Sequence, residues 1–235
     1  MKKVKVEFKN IVKKFNETTA VDNISCDFEP GTLTTLLGPS GCGKTTSLRL
    51  IAGLERATSG NILIDNEDVT TKLSNQRRVT TIFQDGNLFP HLTVKKNISL
   101  GLRPDLRLNS AQQSVLDYAI DRVGLTDLVD RKPGSLSGGQ QSRVSLARAL
   151  VRDRPLLLLD EPFSALGPSL KSDMIELVDQ ISNEKKLTVL FVTHDPEDAK
   201  KICDLSVVVG NGCVSPPILT TKLFENPPKI LRDYL

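Results

Sequence analysis

The sequence lacks the features that would place it in several large classes of protein. It has no apolar run approaching the roughly 18–20 residues that span a bilayer. Its opening, MKKVKVEF, alternates charged with apolar residues instead of forming the apolar core of a signal peptide. With 31 basic and 28 acidic residues, its net charge of +3 is too small to indicate a nucleic acid as partner. We therefore expect a cytoplasmic protein that reaches a membrane only through another subunit.

Metal-binding and redox residues are scarce as well. The two histidines, His91 and His194, lie far apart in the sequence, which argues against a zinc site. The four cysteines show no CxxC spacing, so we expect free thiols in a reducing compartment. The remaining composition, 39% hydrophobic and 25% charged over 235 residues, is that of one globular domain without internal repeats.

Strands and helices alternate at both ends of the chain, and helices dominate the middle. Apolar runs predict strands at residues 4–8, 33–37, 62–64, 79–83, 156–160 and 187–192. Caps and periodicity predict helices at residues 44–52, 109 to about 124, 137–152, 168 to about 184, and 196–202. This order predicts a single α/β domain over residues 1–235, with a core formed by 1–85 and 156–235 and a helical subdomain formed by 86–155.

A glycine-rich stretch between a predicted strand and a predicted helix has the spacing of a phosphate-binding loop. Residues 38–45 read GPSGCGKT and match G-x-x-x-x-G-K-[ST]. Backbone N–H groups of such a loop turn toward phosphates, and the helix that follows points its positive dipole end at the same place. Lys44 is placed to reach the β- and γ-phosphates, and Thr45 to put its hydroxyl on Mg²⁺. The candidate phosphate-binding residues are Gly38, Pro39, Ser40, Gly41, Cys42, Gly43, Lys44, Thr45 and Thr46.

Four leucines precede an acidic pair in the stretch LLLLDE, residues 156–161. The leucines predict a buried parallel strand, and open parallel sheets bind ligands at the carboxyl edge, where Asp160 and Glu161 would lie. Asp160 is then a candidate Mg²⁺ carboxylate, and Glu161 a candidate base that orients or deprotonates water. The alternative is an acidic pair that only begins a helix, which the upstream phosphate loop disfavours.

The pentapeptide LSGGQ, residues 136–140, lies between these two motifs. The three motifs together resemble the ATP-binding-cassette ATPases, and the resemblance covers essentially the whole chain. It implies a P-loop ATPase core with a RecA-like parallel sheet, N-terminal antiparallel strands and a helical subdomain. It also implies ATP and Mg²⁺ as cofactors and a head-to-tail homodimer in which LSGGQ of one subunit clamps ATP on the other. The residues that would act in trans are Ser137, Gly138, Gly139 and Gln140.

The same resemblance gives roles to residues outside the three motifs. Gln84 would sense Mg²⁺, water and the membrane partner, His194 would contact the γ-phosphate, and Phe15 would stack on adenine. Taken alone, His194 would be interpreted as a strand-end cap and Phe15 as a core residue. Gly167 departs from the family, which usually has an aspartate there to link the two ATP sites. The implied catalytic residues are Lys44, Gln84, Glu161 and His194, and the implied Mg²⁺ residues are Thr45, Gln84 and Asp160.

The surrounding sequence favours an importer over the other branches of this family. Fused membrane helices, sustained heptads and a second cassette, which mark exporters, DNA-repair relatives and translation-factor relatives, are all lacking. Residues 87–102 resemble the importer segment that receives a permease helix, and residues 101–113, GLRPDLRLNSAQQ, resemble thiamine importers.

The importer resemblance implies a location and partners. The chain would sit peripherally at the cytoplasmic face of the inner membrane, held by a transmembrane permease and served indirectly by a periplasmic solute-binding protein. Two alternatives stay open, the ATPase of another small-solute importer and a cytosolic cassette ATPase that transports nothing.

Overall fold

The computed structural model describes residues 3–84, 87–210 and 212–232. The chain folds as two compact units. The first comprises Met1–Val79, Pro155–Glu161 and Asp179–Leu235, and the second comprises Thr80–Arg154 and Pro162–Val178. The phosphate loop, the acidic pair and His194 therefore belong to the first unit, whereas LSGGQ and Gln84 belong to the second.

The secondary structure follows the alternation seen in the sequence. The strands are β1 (Val6–Phe15), β2 (Thr18–Phe28), β3 (Leu33–Leu37), β4 (Ser59–Ile64), β5 (Glu67–Asp68), β6 (Val79–Phe83), β7 (Leu156–Asp160), β8 (Thr188–Val192), β9 (Leu205–Gly210), β10 (Cys213–Val214) and β11 (Ile218–Leu219). The α-helices are α1 (Lys44–Ala52), α2 (Val94–Ser99), α3 (Ser110–Arg122), α4 (Gly138–Val151), α5 (Pro168–Lys185), α6 (Pro196–Ile202), α7 (Thr220–Glu225) and α8 (Lys229–Arg232). None of the described helices is long and apolar enough to cross a bilayer.

A parallel sheet with strand order β10-β9-β3-β8-β7 forms the centre of the first unit. Strands β9, β3, β8 and β7 run parallel, while β10 and β11 pair antiparallel with β9. Every residue of β3, β7 and β8 is buried, as strands covered on both faces require. Leu36 of β3 and Asp160 of β7 both pair with Val192 of β8. The carboxyl ends of these three strands therefore lie at the same edge.

An antiparallel sheet with the order β2-β1-β4-β5 completes the first unit. Phe8 of β1 and Phe28 of β2 meet edge to face with ring centroids 6.0 Å apart. Both belong to one buried cluster that also holds Ile51 of α1 and Leu158 of β7. This shared cluster fixes α1, and the loop that precedes it, against the parallel sheet.

In the second unit, α3 and α4 both begin with a capping box. Asn109 accepts a hydrogen bond from the backbone of Gln112, whose side chain accepts one from the Asn109 backbone. Ser137 and Gln140 make the same reciprocal pair at the start of α4. These caps satisfy N–H groups that have no partner within the helix, so they set where each helix starts.

The predicted elements are present, but the N-terminal strands differ in extent. The sequence predicts a strand at residues 4–8, whereas β1 begins at Val6 and continues to Phe15, and β2 was not predicted as a separate strand. The pairing of β1 with β2 shifts register three times between Phe8 and Lys14. Such irregularities break the alternation of apolar and polar residues that identifies a strand from sequence.

Arg77 is a buried cation, 3% exposed, whose hydrogen bonds within the described residues all go to backbone carbonyls. Its Nη1 donates to the oxygens of Leu50 and Ile51 at 2.6 and 2.9 Å. Its Nε donates to the backbone oxygen of Lys72 at 3.0 Å, and its Nη2 donates to the backbone oxygen of Thr70 at 3.2 Å. Burial lowers the pKa of Arg77 to about 10, which leaves it charged at neutral pH. The guanidinium thus ties the negative end of α1 to the segment that follows β5.

We predict that Arg77→Met lowers the free energy of unfolding by about 3 kcal/mol or more, because it leaves several carbonyls without donors. Arg77→Lys should lose less, since it keeps the charge but not the planar fork. Urea unfolding followed by circular dichroism measures both. The matched control is Arg78→Met at the exposed neighbouring position, which should change stability by less than about 0.5 kcal/mol. Equal effects at the two positions would contradict a stabilising role for the carbonyl contacts.

Candidate functional site

The loop between β3 and α1 has a backbone that only its glycines permit. Gly38 and Gly43 have φ values of 152° and 104°. A Cβ at Gly38 would lie 2.0 Å from the Val209 oxygen, and one at Gly43 would lie 2.5 Å from the Ala20 oxygen. Gly43 is also the N-cap of α1, and within the described chain no side chain caps that helix start. The first-turn N–H groups therefore face the loop, where an anion could bind them.

Lys44 is folded back onto this loop. Its side chain is buried, and Nζ donates to the carbonyls of Gly38 at 2.6 Å and Pro39 at 2.8 Å. The ammonium also lies 3.7 Å from Sγ of Cys42. Of the other predicted loop residues, Ser40 and Gly41 are exposed at the tip, Cys42 is buried, and Thr46 is half-buried in α1. The loop thus holds a positive charge beside the N-terminus of a helix, and both favour phosphate.

Thr45 and Asp160 meet across the first unit. The Thr45 hydroxyl donates to Oδ1 of Asp160 at 2.8 Å, although 115 residues separate them in sequence. Asp160 is 7% exposed, and burial raises its pKa, against the opposing effects of the Thr45 hydrogen bond and of Arg49 and Lys44. Hydroxyl and carboxylate oxygens are the ligands that Mg²⁺ prefers, so this pair fits a magnesium ion.

Glu161 and His194 form a second polar pair at the same sheet edge. The Glu161 Oε2 lies 2.9 Å from Nδ1 of His194, which donates or accepts according to its tautomer. Glu161 has a left-handed backbone with φ of 47°, and its N–H donates to the oxygen of Val192 at 3.0 Å. A non-glycine residue in this conformation costs about 1 kcal/mol or more and persists where surrounding contacts impose it. The carboxylate and the imidazole are thereby held where each can accept or pass on a proton.

Phe15 lies at the end of β1 and is 43% exposed, so it is not a core residue. The Nζ of Lys13 lies 4.4 Å from the centroid of its ring. Lys13 is fixed in turn by an ion pair with Glu55 at 2.9 Å and by a hydrogen bond to the oxygen of Arg56 at 3.0 Å. The ring is therefore held in place by a cation on one face, while much of its surface is available for stacking.

In the second unit, LSGGQ forms the start of α4. Ser137 and Gly138 are exposed, Gly139 is buried and Gln140 is half-buried. A Cβ at Gly139 would lie 3.4 Å from Leu170 of α5, an ordinary van der Waals distance. Ser137 and Gly138 thus present a hydroxyl and backbone groups on the surface. Gln84 is exposed directly after β6, beside two residues that lie outside the described chain.

Gly167 lies just before α5, and no described atom comes within 4 Å of a Cβ built there. The position therefore has room for the aspartate that the resemblance leads one to expect.

A cavity of about 370 Å³ also lies within the second unit. Its lining includes Phe83, Phe89, Leu100, Pro104, Arg148 and Arg152. Arg148 donates from Nη1 to the oxygen of Asn87 at 2.9 Å, and burial lowers the pKa of Arg148 and of Arg152. The sequence predicts a partner-binding segment at residues 87–102 but not the contribution of α4. The available signal was the spacing of Arg148 and Arg152 four residues apart, which places them on one helical face.

Comparison with known proteins identifies one family. Residues 21–164 match the family described as ABC transporter. A thiamine import ATP-binding protein from Ruegeria sp. (strain TM1040) is 50% identical over 200 residues, which cover 85% of this chain and 87% of that protein.

Two solved structures resemble the fold. A nucleotide-free ATP-binding cassette from an ABC transporter aligns with a TM-score of 0.87 and 26% identity, covering 100% of this chain and 99% of the other. A cassette solved as a dimer in a post-hydrolysis state, bound to ADP and Pi, aligns with a TM-score of 0.80 and 30% identity, covering 92% of this chain and 98% of the other. The α/β fold predicted from the sequence, a P-loop ATPase core with N-terminal antiparallel strands and a helical part, is confirmed.

We predict that Asp160→Asn stabilises the nucleotide-free protein at neutral pH. Since burial raises the pKa of Asp160 above its value in the unfolded chain, the contribution of this group is favourable at low pH and is lost as pH rises through the folded pKa. Asparagine keeps an acceptor for Thr45 and carries no charge to bury. The advantage of the variant should therefore grow from about pH 4, near the unfolded pKa of an aspartate, toward neutrality.

Urea unfolding at a series of pH values measures this trend. Asp130→Asn, at an exposed position, serves as the control and should show no comparable pH-dependent gain. An Asp160→Asn protein that is less stable than its parent at pH 7 would contradict the assignment of burial as the dominant cause.

Proposed function

Since the chain belongs to the ABC transporter family, we propose that it is the ATP-hydrolysing subunit of an importer that carries thiamine and its phosphates. The meeting of the phosphate loop, Asp160, Glu161 and His194 at one sheet edge is the observation that carries the ATPase assignment. The solute follows from the 50% identity to a relative that is itself named for thiamine import.

ATP binds the first unit through its phosphates and its base. The N–H groups of residues 40–46 surround the phosphates, and Lys44 exchanges the carbonyls of Gly38 and Pro39 for phosphate oxygens. The exposed ring of Phe15, held by Lys13, takes the adenine. These contacts combine charge, helix dipole and stacking, which is the chemistry a nucleoside triphosphate requires.

Hydrolysis uses the residues at the carboxyl edge of the sheet. Thr45 and Asp160 would hold Mg²⁺, and the ion would offset the charge of the phosphates when bound. Glu161 orients the attacking water and accepts its proton. His194, in contact with Glu161, lies beside the γ-phosphate and steadies the carboxylate.

A second copy of the chain completes each ATP site. The exposed Ser137 and the N–H groups of Gly138 and Gly139, at the start of α4, suit the γ-phosphate of ATP bound to the partner. Gln140 fixes this turn through its bond to the Ser137 backbone. A related cassette was solved as a dimer, which supports a homodimer, and in this proposal its two copies pair head to tail. The γ-phosphate then closes the dimer, and hydrolysis reopens it.

The cavity of the second unit suits a helix from a transmembrane permease. Phe89 is 46% exposed at its border, and Arg148 and Arg152 supply charge within an otherwise partly apolar lining. Docking there would hold the subunit at the cytoplasmic face of the inner membrane, with a periplasmic solute-binding protein delivering solute to the permease. The cavity favours an importer subunit over a cytosolic cassette ATPase, while another small solute remains the alternative cargo.

Uptake of labelled thiamine tests the function directly. In cells that lack this chain, uptake should return with the intact chain and stay at least about 10-fold lower with Lys44→Ala, because the lysine is the main cation for the phosphates. Lys222→Ala, at an exposed position on α7, is the control and should restore uptake fully. Uptake that never depended on the chain would overturn the solute and leave the ATPase assignment standing.

Glu161→Gln tests the sandwich dimer. Glutamine keeps the size of the side chain and removes its basicity, so hydrolysis should fall about 100-fold or more while ATP still binds. The protein should then accumulate as a dimer in saturating MgATP, as measured by light scattering after gel filtration. The double variant with Lys44→Ala should remain monomeric, since it holds ATP poorly. A monomeric Glu161→Gln protein under these conditions would contradict the dimer.

A further inference from the structure

His194 lies in a turn that one buried hydroxyl closes. The Thr193 hydroxyl donates to Oδ2 of Asp198 at 2.6 Å and accepts a hydrogen bond from the N–H of Asp195 at 3.0 Å. Both Thr193 and Asp198 are 3% exposed, whereas the His194 side chain is half-exposed. The backbone on both sides of His194 is therefore held, because Thr193 binds Asp198 and the N–H of Asp195 binds Thr193.

The Thr193 hydroxyl can accept a hydrogen bond from the Asp195 N–H only if its own proton is donated to another group. A threonine hydroxyl has one proton and two acceptor lone pairs. Asp198, in the first turn of α6, takes the proton, so a lone pair faces the N–H of Asp195. Asp195 is itself fixed, since its Oδ1 accepts from the Glu197 N–H at 3.0 Å as the cap of α6. The turn around His194 is thus anchored to the end of β8 and to the start of α6.

We propose that Thr193 and Asp198 are positioning residues for His194. They set the backbone of the turn so that the imidazole Nδ1 points at Glu161, at the observed 2.9 Å. The proposal rests on the function given above for His194 and Glu161. Without the Thr193 hydroxyl, the Asp195 N–H loses an acceptor, the turn is free to relax, and the imidazole loses its fixed direction.

The strand that precedes the His194 turn, β8, offers a matched control for the loss of a buried hydroxyl. Thr188, at the opposite end of β8, is fully buried, and its hydroxyl donates to the oxygen of Val4 at 2.7 Å and accepts from the N–H of Gly31 at 2.9 Å. Thr188→Val therefore makes the same chemical change at the amino end of β8, whereas Thr193 directly follows the carboxyl end of that strand. A general loss of stability affects both variants, whereas a loss of imidazole direction affects only Thr193→Val.

The first measurement is the imidazole ¹⁵N spectrum of the full chain. The sequence has only two histidines, and loss of one set of signals in His194→Ala assigns the other to His91. Thr193→Val should shift the His194 Nδ1 signal, because the contact with Glu161 is no longer held. Thr193→Ser, which restores the hydroxyl, and Thr188→Val should leave that signal at its parental position. This readout needs neither nucleotide nor turnover.

The second measurement is MgATP hydrolysis by the same variants. Thr193→Val should lower kcat by about 10- to 100-fold, the loss typical of a misplaced catalytic group, and Thr193→Ser should recover most of it. KM for ATP should change by less than about threefold, since the phosphate loop is unaltered. Asp198→Ala removes the acceptor from the helix side and should give the same loss, which keeps the proposal testable should Thr193→Val fail to fold.

The outcomes separate this proposal from the function it rests on. If Thr193→Val and Asp198→Ala match Thr188→Val in both the His194 signal and kcat, the positioning role is overturned. If Glu161→Gln hydrolyses ATP at the parental rate, the proposed catalytic function fails. In that case the spectrum still decides whether Thr193 and Asp198 orient the ring.

Discussion

The register of three neighbouring parallel strands is the constraint on which the first unit depends. Leu36 and Asp160 pair with the same residue of β8, so the chain leaves β3, β7 and β8 at one edge. The phosphate loop, the acidic pair and the His194 turn follow these exits directly. Backbone hydrogen bonding and the burial of apolar side chains on both faces therefore bring the site residues to one edge without requiring contacts among their side chains. A slip of one residue in β7 would turn Asp160 to the other face of the sheet.

The sequence predicted the site best where the functional residues are consecutive. The loop at residues 38–45 and the run LLLLDE carry both their local structure and their function within a few positions, because a glycine-rich turn and a buried strand are local properties. The start and end of α1 were equally readable, since Gly43 and Gly53 flank it in left-handed conformations. The fold class followed from the order of such elements.

Other parts of the site depend on contacts that no local pattern records. Arg77 binds Leu50, 27 residues earlier, and nothing in the surrounding letters distinguishes it from the exposed Arg78. The roles of Thr193 and Asp198 were likewise not predicted from the sequence, because a buried hydroxyl can be assigned a role only when its two hydrogen-bond partners are known. The full length of β1 was not predicted for a related reason. Its bulges interrupt the alternation of apolar and polar residues on which strand prediction relies.

The position of Arg77 couples α1 to the segment that follows β5. The guanidinium fastens the far end of the helix whose near end faces the phosphates, and only Arg78 separates Arg77 from β6, which leads to Gln84. A helix is stiff along its axis, and the four carbonyl partners of the guanidinium restrain its position. A displacement of α1 along its axis would therefore have to break these hydrogen bonds or carry the segment of residues 70–77 with it.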